Sequence, residues 1–446
     1  MEWWASFEKL FGGALSEAEV LSALQKEGVR ERRRGGKLPP QRVFLLLLHL
    51  ALDRDSSIRS VVSSLALSLG FPTSWGNKLP HSTSIAQARD RLGWEPVRRV
   101  FRDQRKPAGV VDQWLGRTAV ALDGSCLKAP RSMANVAALG EPSTSKRTAS
   151  FPLLRTVLAV GVQSHWVYEA TFAPYRKQHS GQKVGESALA TTLLARLPGE
   201  SVLVCDRAYS SFRFISAAQD QGLDVVVRAL KNGKGFRVRK VRSLADGTDL
   251  VRLKTKAGEL LLRRVVFSYR TRRVVPKKNK KNKEYERRRK RRKASRVVLV
   301  TTLLDVDRYP AKEIASLYRD RWEVEHVFKE IKAQLGAGKP VFRGQTIQRV
   351  LQEAYATLLI HRCLWANAAD VAAETSLSVL RISFETNLKL SRTAARLDHH
   401  RERAPFLLLL RLEALPQRRD RHYPREVLAK TPKYRVRKQE PEAHAA

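Results

Sequence analysis

A chain of 446 residues, 43% of them hydrophobic, is long enough for two or three domains with real cores, which excludes a disordered tail. Its 84 Lys and Arg against 43 Asp and Glu leave a formal charge of +41 at pH 7, far more than solubility requires. The excess runs through nearly every segment and points to a large polyanion, nucleic acid ahead of a membrane surface. The longest apolar runs, Val43 to Leu52 and Phe406 to Leu410, are too short to cross a bilayer, and the acidic start lacks a signal peptide's basic flank. A cytoplasmic or nucleoid-associated protein is expected. Cys126, Cys205 and Cys363 are widely spaced and read as reduced packing residues, not zinc ligands.

Up to about residue 110 the pattern is one of short helices. Pro39 and Pro40 open the apolar run Arg42 to Leu52, Asp55 or Ser56 can cap Ile58 to Leu69, and Ser82 to Ser84 can cap Ile85 to Leu92. Three short helices joined by turns suit a helix-turn-helix-like DNA-binding unit, and equally a plain packing trio. In the first case Gln87, Arg89 and Arg91 on the last helix are the side chains for bases or phosphates.

From Thr118 strands take over. Thr118 to Leu122 is a buried-type run expected to stop at Asp123-Gly124-Ser125, and Leu154 to Gly161 and Trp166 to Phe172 form two more strands about a hairpin at Val162 to His165. A helix from Glu186 to Leu197, a strand from Ser201 to Cys205 ending at Asp206, a helix from Ser211 to Gln221 and a strand from Asp224 to Val227 follow. This is the order of an α/β fold, an RNase H-like mixed sheet covered by helices, in which carboxylates at strand ends face an open cleft.

From about Lys231 to Asp305 the alternation continues through Gly235 to Val241, Leu250 to Thr255, Leu260 to Tyr269 and Val297 to Leu304, a β-rich insertion within the catalytic unit. It carries the basic run Lys277 to Lys293, with Lys277, Lys278, Lys280, Lys281, Arg287, Arg288 and Arg289. Such a run is either a solvated loop or one that tracks DNA phosphates.

Tyr318 to Lys332 contains no helix breaker. At about 100° per residue, Tyr318, Arg321, Glu325 and Lys332 fall within a sector of roughly 60°. Leu317, Val324, Phe328, Ile331 and Leu335 form the adjoining apolar stripe, and Glu323 and Glu330 point well away from Glu325. A further helix is expected from Gln345 to Ala372, and the remainder to Lys438 is helical and basic. His361, His399 and His400 lack metal-ligand spacing and read as structural residues or weak DNA contacts.

Asp123, Asp206 and Glu325 thus make a three-carboxylate set. Hard oxygen donors bind Mg²⁺ or Mn²⁺ while leaving positions for water and phosphate oxygens. Two such ions, about 3.5 to 4 Å apart, can activate an attacking oxygen and stabilise a leaving one. Ser125 and Cys126 have neither a nucleophile elbow nor a positioned His base. Taken singly, each residue has a plainer reading, as a turn former at a strand end or a salt-bridging residue on a surface helix.

Asp123-Gly124-Ser125, Asp206-Arg207-Ala208-Tyr209 and the spaced set Tyr318, Arg321, Glu325 and Lys332 resemble the signatures of bacterial insertion-sequence DDE transposases of family four. The segment Arg33 to Pro39 through Asp53 to Arg59 is similar to the N-terminal module of that group, and Tyr423-Pro424-Arg425 to its C-terminal region. The resemblance implies an RNase H-like catalytic domain with a β insertion before the glutamate helix, acting as a homodimer on paired element ends in double-stranded DNA. It implies that Asp123, Asp206 and Glu325 hold two Mg²⁺ or Mn²⁺ ions and that Tyr318, Arg321 and Lys332 hold terminal phosphates, which suits Arg and Lys chemistry. Relatives stack a flipped base on a Trp of the insertion, whereas this chain has no Trp between Lys231 and Asp305 and offers Tyr269 or Tyr285 instead. The expected organisation is a helical DNA-binding region at 1–110, a catalytic domain at 117–340 with the insertion at about 231–305, and a basic helical region at 341–446. The expected activity is cut-and-paste DNA transposition; the rivals are a nuclease of the same fold without strand transfer and a non-catalytic basic nucleic-acid-binding protein.

Overall fold

The computed structural model describes residues 2–31, 36–68, 79–141, 143–144, 147–149, 151–176, 185–229, 236–271, 293–336, 342–375, 377–397, 403–415 and 436–438. Most of the basic run, 277–292, lies outside them, as do Tyr285, His399, His400 and the side chain of Tyr269.

Nine strands form the main path of one large ten-stranded mixed sheet: β1 (Arg117–Lys128), β2 (Leu153–Gly161), β3 (Val167–Pro174), β4 (Ser201–Cys205), β5 (Asp224–Arg228), β6 (Val238–Ser243), β7 (Asp249–Thr255), β8 (Gly258–Thr271) and β9 (Lys293–Thr301). Their order across the sheet is β3-β2-β1-β4-β5-β9-β8-β7-β6, with the short strand Gln113–Trp114 paired to β1. β1, β2 and β3 are an antiparallel meander, β4 and β5 run parallel to β1, and β9 returns antiparallel to β5. The first five strands have the RNase H-like order. The insertion expected as a separate texture extends the same sheet outward from β5.

Alternation along the strands decides which core each side chain joins. Ala119, Ala121, Leu158, Val160, Val202 and Val204 enter one core, while Val120, Leu122, Val157, Ala159, Leu203 and Cys205 enter the other. The sheet is therefore covered on both faces, as parallel strands require. Helices Glu186–Thr191 and Phe212–Gln219 lie on the second face.

The first face is covered by helices from both ends of the chain. The helix Ile347–Glu374 is buried nearly all round and packs against Pro40–Leu52, Glu95–Asp103, Phe384–Leu397 and Arg403–Leu412. Arg362, fully buried within it, lies 3.7 Å over the Phe101 ring and 4.8 Å from that of Trp166, and donates to the carbonyls of Phe101, Val167 and Tyr168. The N-terminal helices, the β2–β3 hairpin and the C-terminal helices thus share one core. Among the described residues no helix is long and apolar enough to cross a membrane.

Two expectations are corrected here. β1 does not stop at Asp123; its ladder to β2 continues from Asp123 opposite Leu158 to Lys128 opposite Leu153. Nor is Tyr318 to Lys332 one regular helix. Ala311–Asp320 ends at Arg321, Glu323–Lys329 follows as a separate short helix, and Glu330–Leu335 winds as a π-helix.

Candidate active site

Leu122 pairs with Cys205 in the last rung of the parallel ladder between β1 and β4, and Asp123 and Asp206 are the next residues on the two strands. β4 ends there while β1 runs on, so the two carboxylates sit side by side where β4 leaves the ladder. Asp123 Oδ1 accepts from its neighbour Gly124 N–H at 2.9 Å. Asp206 Oδ1 accepts from Ala208 N–H at 2.6 Å and so caps the turn Arg207–Tyr209. Gly124 leaves room for Glu186: a Cβ there would lie 2.6 Å from Cδ of Glu186, whose carboxylate is held by Arg155 at 2.6 Å.

The helix Glu323–Lys329 packs on β1 and β2 and brings Glu325 to the same place. Glu325 Oε1 accepts from Arg321 Nη2 at 3.3 Å across one turn. Burial pushes the Asp123 carboxyl up to about 6; Asp206 and Glu325 add to the rise, and Gly124 N–H and Arg321 oppose it. Burial also works against the Arg321 charge, but Tyr318, Asp123, Glu325 and Asp206 outweigh it and hold the guanidinium above its ordinary value. Tyr318 is buried beside Arg321 and is raised by that burial. These five groups share one electrostatic field.

Lys332 donates to Ser125 Oγ, two residues beyond Asp123, and lies 5.1 Å over the Phe328 ring. Both line a cleft of about 390 Å³ next to Gly124, whose walls include Lys128, Arg155, Tyr175 and Phe342. The cleft is cationic, with Glu186 the one acidic wall residue among the described residues.

The far side of the same helix differs. Glu323 and Glu330 point away from Glu325, as the spacing requires, and both meet His165. His165 Nε2 lies 2.8 Å from Glu323 and Nδ1 3.0 Å from Glu330, while His361 and Trp365 reach Glu330 at 2.9 and 3.2 Å. Burial would lower the His165 pKa, but Glu330 and Glu323 raise it to about 9. Burial likewise opposes ionisation of Glu330, yet His165 and His361 bring it down to about 2. Glu323 is lowered too, by His165 and His326 against the effect of burial. His165, Glu323 and His326 also place ligand-type atoms within 4.8 Å of one another.

His165 was legible only as part of a turn, and His361 only as structural or a weak DNA contact; the structure makes His361 a buried structural partner. Arg89 is corrected outright. It is 3% exposed, pairs with Glu353 at 2.9 Å and bonds Gln352 at 3.2 Å on the long helix, so it has no surface to offer DNA. Gln87 and Arg91 are exposed on the helix Ser82–Leu92 and line a second cleft of about 440 Å³ with Arg30 and Lys37. Helices Glu2–Leu10 and Glu17–Lys26 were not anticipated, although Ser16 and Glu19 form a capping box that marked the second.

A family model described as the transposase DDE domain matches residues 114–361, and one for the N-terminal region of the insertion element 4 transposase matches 9–102. The transposase InsG for insertion sequence element IS4 of Escherichia coli (strain K12) is 24% identical over 95% of this chain and 92% of its own length. Among solved structures, the piggyBac transposase synaptic complex with hairpin DNA aligns with 93% of this chain and 86% of its own, at 10% identity and a TM-score of 0.42. Matched over more than half its length by the domain that defines the family, the chain belongs to the DDE transposases and is an enzyme of DNA transposition.

Proposed function

We propose that Asp123, Asp206 and Glu325 perform the family's reaction, cutting the ends of an insertion element and joining them to target DNA by cut-and-paste transposition. In the first step water attacks a phosphodiester at the element end and the P–O3′ bond breaks, leaving a 3′-hydroxyl. In the second, that hydroxyl attacks a phosphodiester of the target, forming a new P–O bond as the target's own P–O3′ bond breaks and its 3′-oxygen leaves as a hydroxyl. The observation that carries the assignment is the shared field of the three carboxylates where β4 ends beside the continuing β1, with Asp123 pushed up to about 6.

The family uses divalent metal, and the donor set fits it. Asp206 and Glu325 both add to the cost of ionising Asp123, which a cation relieves. Asp123, Asp206 and Glu325 would hold two Mg²⁺ or Mn²⁺ ions, which when bound supply charge stabilisation for the attacking and leaving oxygens. Arg321 keeps Glu325 oriented, and its charge in the field of the three carboxylates suits a DNA phosphate. Lys332 sits over the cationic cleft as a second phosphate ligand, and buried Tyr318 packs Arg321 into place.

The element's terminal inverted repeats would be read by the N-terminal helices through Gln87 and Arg91, with two copies of the chain pairing two ends. The basic run within the insertion, 277–293, would hold the backbone without reading bases. The work would be done in the cytoplasm, at the nucleoid. Incubating the full chain with labelled element-end duplexes, a supercoiled plasmid and Mg²⁺ tests the reading. Nicked ends and plasmid-joined products are expected; nicking without joining leaves a nuclease, and no metal-dependent product removes the assignment.

A further inference from the structure

We propose that His165 is a positioning residue for Glu325, holding from behind the short helix that presents this carboxylate to Asp123 and Asp206. The inference rests on the role given to Glu325 above. A helix of seven residues cannot keep its setting through its own hydrogen bonds. Here it is cut from Ala311–Asp320 at Arg321 and Trp322 and passes directly into the π-helical stretch Glu330–Leu335. Its orientation must therefore be imposed by its neighbours.

One imidazole grips both ends. Glu323 opens the helix and Glu330 follows its last residue, and they take the two nitrogens of His165 at 2.8 and 3.0 Å. The other oxygen of Glu330 is fixed by His361 and Trp365 on the long helix, and the Trp365 ring stands edge-on to His165 at 4.7 Å. His165 is 2% exposed and Glu330 7%.

The base of the grip is equally rigid. His165 lies in the β2–β3 turn with φ of 58°, a backbone conformation that costs a β-carbon residue of order 1 kcal/mol and that Gly or Asn would take more readily. Retaining a His there makes sense if its side chain has a task. Asp112 bolts the turn, accepting from Gln163 N–H at 2.9 Å, Ser164 Oγ at 2.6 Å and the Tyr168 hydroxyl at 2.9 Å. At Gly161 a Cβ would lie 2.1 Å from Asp112 Oδ2, so only glycine admits this bolt. A continuous chain of contacts thus runs from Asp112 through the turn to His165, then to both ends of the Glu325 helix.

The test uses the full chain with His165→Ala and His165→Gln. Mn²⁺ binding to the protein alone is titrated by water-proton relaxation, and cleavage of an element-end duplex is followed against Mn²⁺ concentration, alongside DNA affinity in EDTA and thermal melting. His165→Ala should weaken Mn²⁺ binding about tenfold, the loss typical when a supporting partner of a metal ligand is removed, with DNA affinity within about twofold. His165→Gln, which can still bond one carboxylate, should lose less and serves if the Ala variant does not fold. His326→Ala, which touches Glu323 only from the solvent side, should leave Mn²⁺ affinity unchanged. Lower melting with unaltered Mn²⁺ affinity and cleavage would make the knot merely structural and overturn the proposal. One equivalent of Zn²⁺ carried by the wild type and released by His326→Ala would also overturn it, by making His165, Glu323 and His326 a metal site. Glu325→Ala separates the two levels: if it still cleaves, the assignment of Glu325 fails, whereas inert His165 variants beside an inactive Glu325→Ala sink only the positioning role.

Discussion

The segment Glu323 to Leu335 has two faces that use glutamate in opposite ways. On the front, Glu325 is 37% exposed, has one guanidinium beside it and faces two more carboxylates, so negative charge is in surplus. At the rear, Glu323 and Glu330 are more than matched by His165, His326, His361 and Trp365, and each carboxylate is held below its ordinary range. The difference teaches that the number of fixed partners, not the residue type, decides whether a carboxylate is kept for chemistry or for rigidity. A crowded, under-compensated acid binds an external cation; a saturated one binds its own protein.

Breaking the front should be the most damaging change. Asp123→Ala, Asp206→Ala and Glu325→Ala are each expected to lower metal-dependent nicking by about 1000-fold or more, the loss of several kcal/mol of charge stabilisation, without lowering the melting temperature. Glu323→Ala should reverse the balance, costing about 3 kcal/mol of stability by leaving buried His165 short of a partner. If Glu323→Ala is inert in melting and dead in nicking, the faces have been exchanged.

A second contrast sets Arg89 against Arg91. Arg89→Ala should cost about 3 kcal/mol of stability, seen in denaturant titration, because it strands Glu353 and Gln352. Affinity of the folded fraction for element ends should not move. Arg91→Ala and Gln87→Ala should do the opposite, and a stability loss there with unchanged gel shifts would remove that helix as a DNA reader.

The rear face also predicts a pH profile. The folded His165 pKa of about 9 exceeds the ordinary 6.5, so its contribution is complete below 6.5 and is lost as pH rises through 9. Glu330, down to about 2 from 4.5, contributes fully above 4.5 and fails as pH falls through 2. The groups facing His165 are Glu323, Glu330, His326 and His361; His165 and Glu330 together place a plateau between 4.5 and 6.5. Thermal unfolding in EDTA should show the alkaline decline in wild type and a flatter limb in His165→Gln; equal slopes would remove His165 as its source.

The smallest effect is expected at Asp123. Raised to about 6 from 3.8, its carboxyl destabilises the metal-free fold progressively between those values and by a constant amount above 6. Asp123→Asn should therefore melt higher than wild type above pH 6 without metal, with the gap closing below 3.8. A gap that persists in acid would mean that charge is not its cause.

Much of this was legible because it is local. Alternation marked the strands, and the spacing of Tyr318, Arg321, Glu325 and Lys332 separated Glu325 from Glu323 and Glu330. What escaped was set by distant partners. Gly124-Ser125 looks like a turn, yet β1 continues because the stretch of β2 from Leu153 to Leu158 offers it a ladder. Arg89 lies on a helix whose buried face becomes hospitable to a cation only through Gln352 and Glu353, more than 260 positions later. The break at Arg321 has no proline or glycine to announce it, and His165 acquires its role from Glu323, Glu330 and Trp365, more than 150 residues downstream.

The position of the helix Ile347–Glu374 in the chain has a consequence for synthesis. Its side chains complete the core begun by Pro40–Leu52 and Glu95–Asp103, and it carries Arg362, His361 and Trp365. A ribosome that has reached residue 340 has made every proposed metal ligand, yet has not delivered the cover for the N-terminal helices or the anchor for Glu330. Chains normally fold from the N-terminus as they emerge, but here the first helices must wait for nearly three hundred further residues. Premature release at that point would yield a polypeptide with exposed apolar faces and a loosely held glutamate helix, a species for proteolysis and not for cutting DNA.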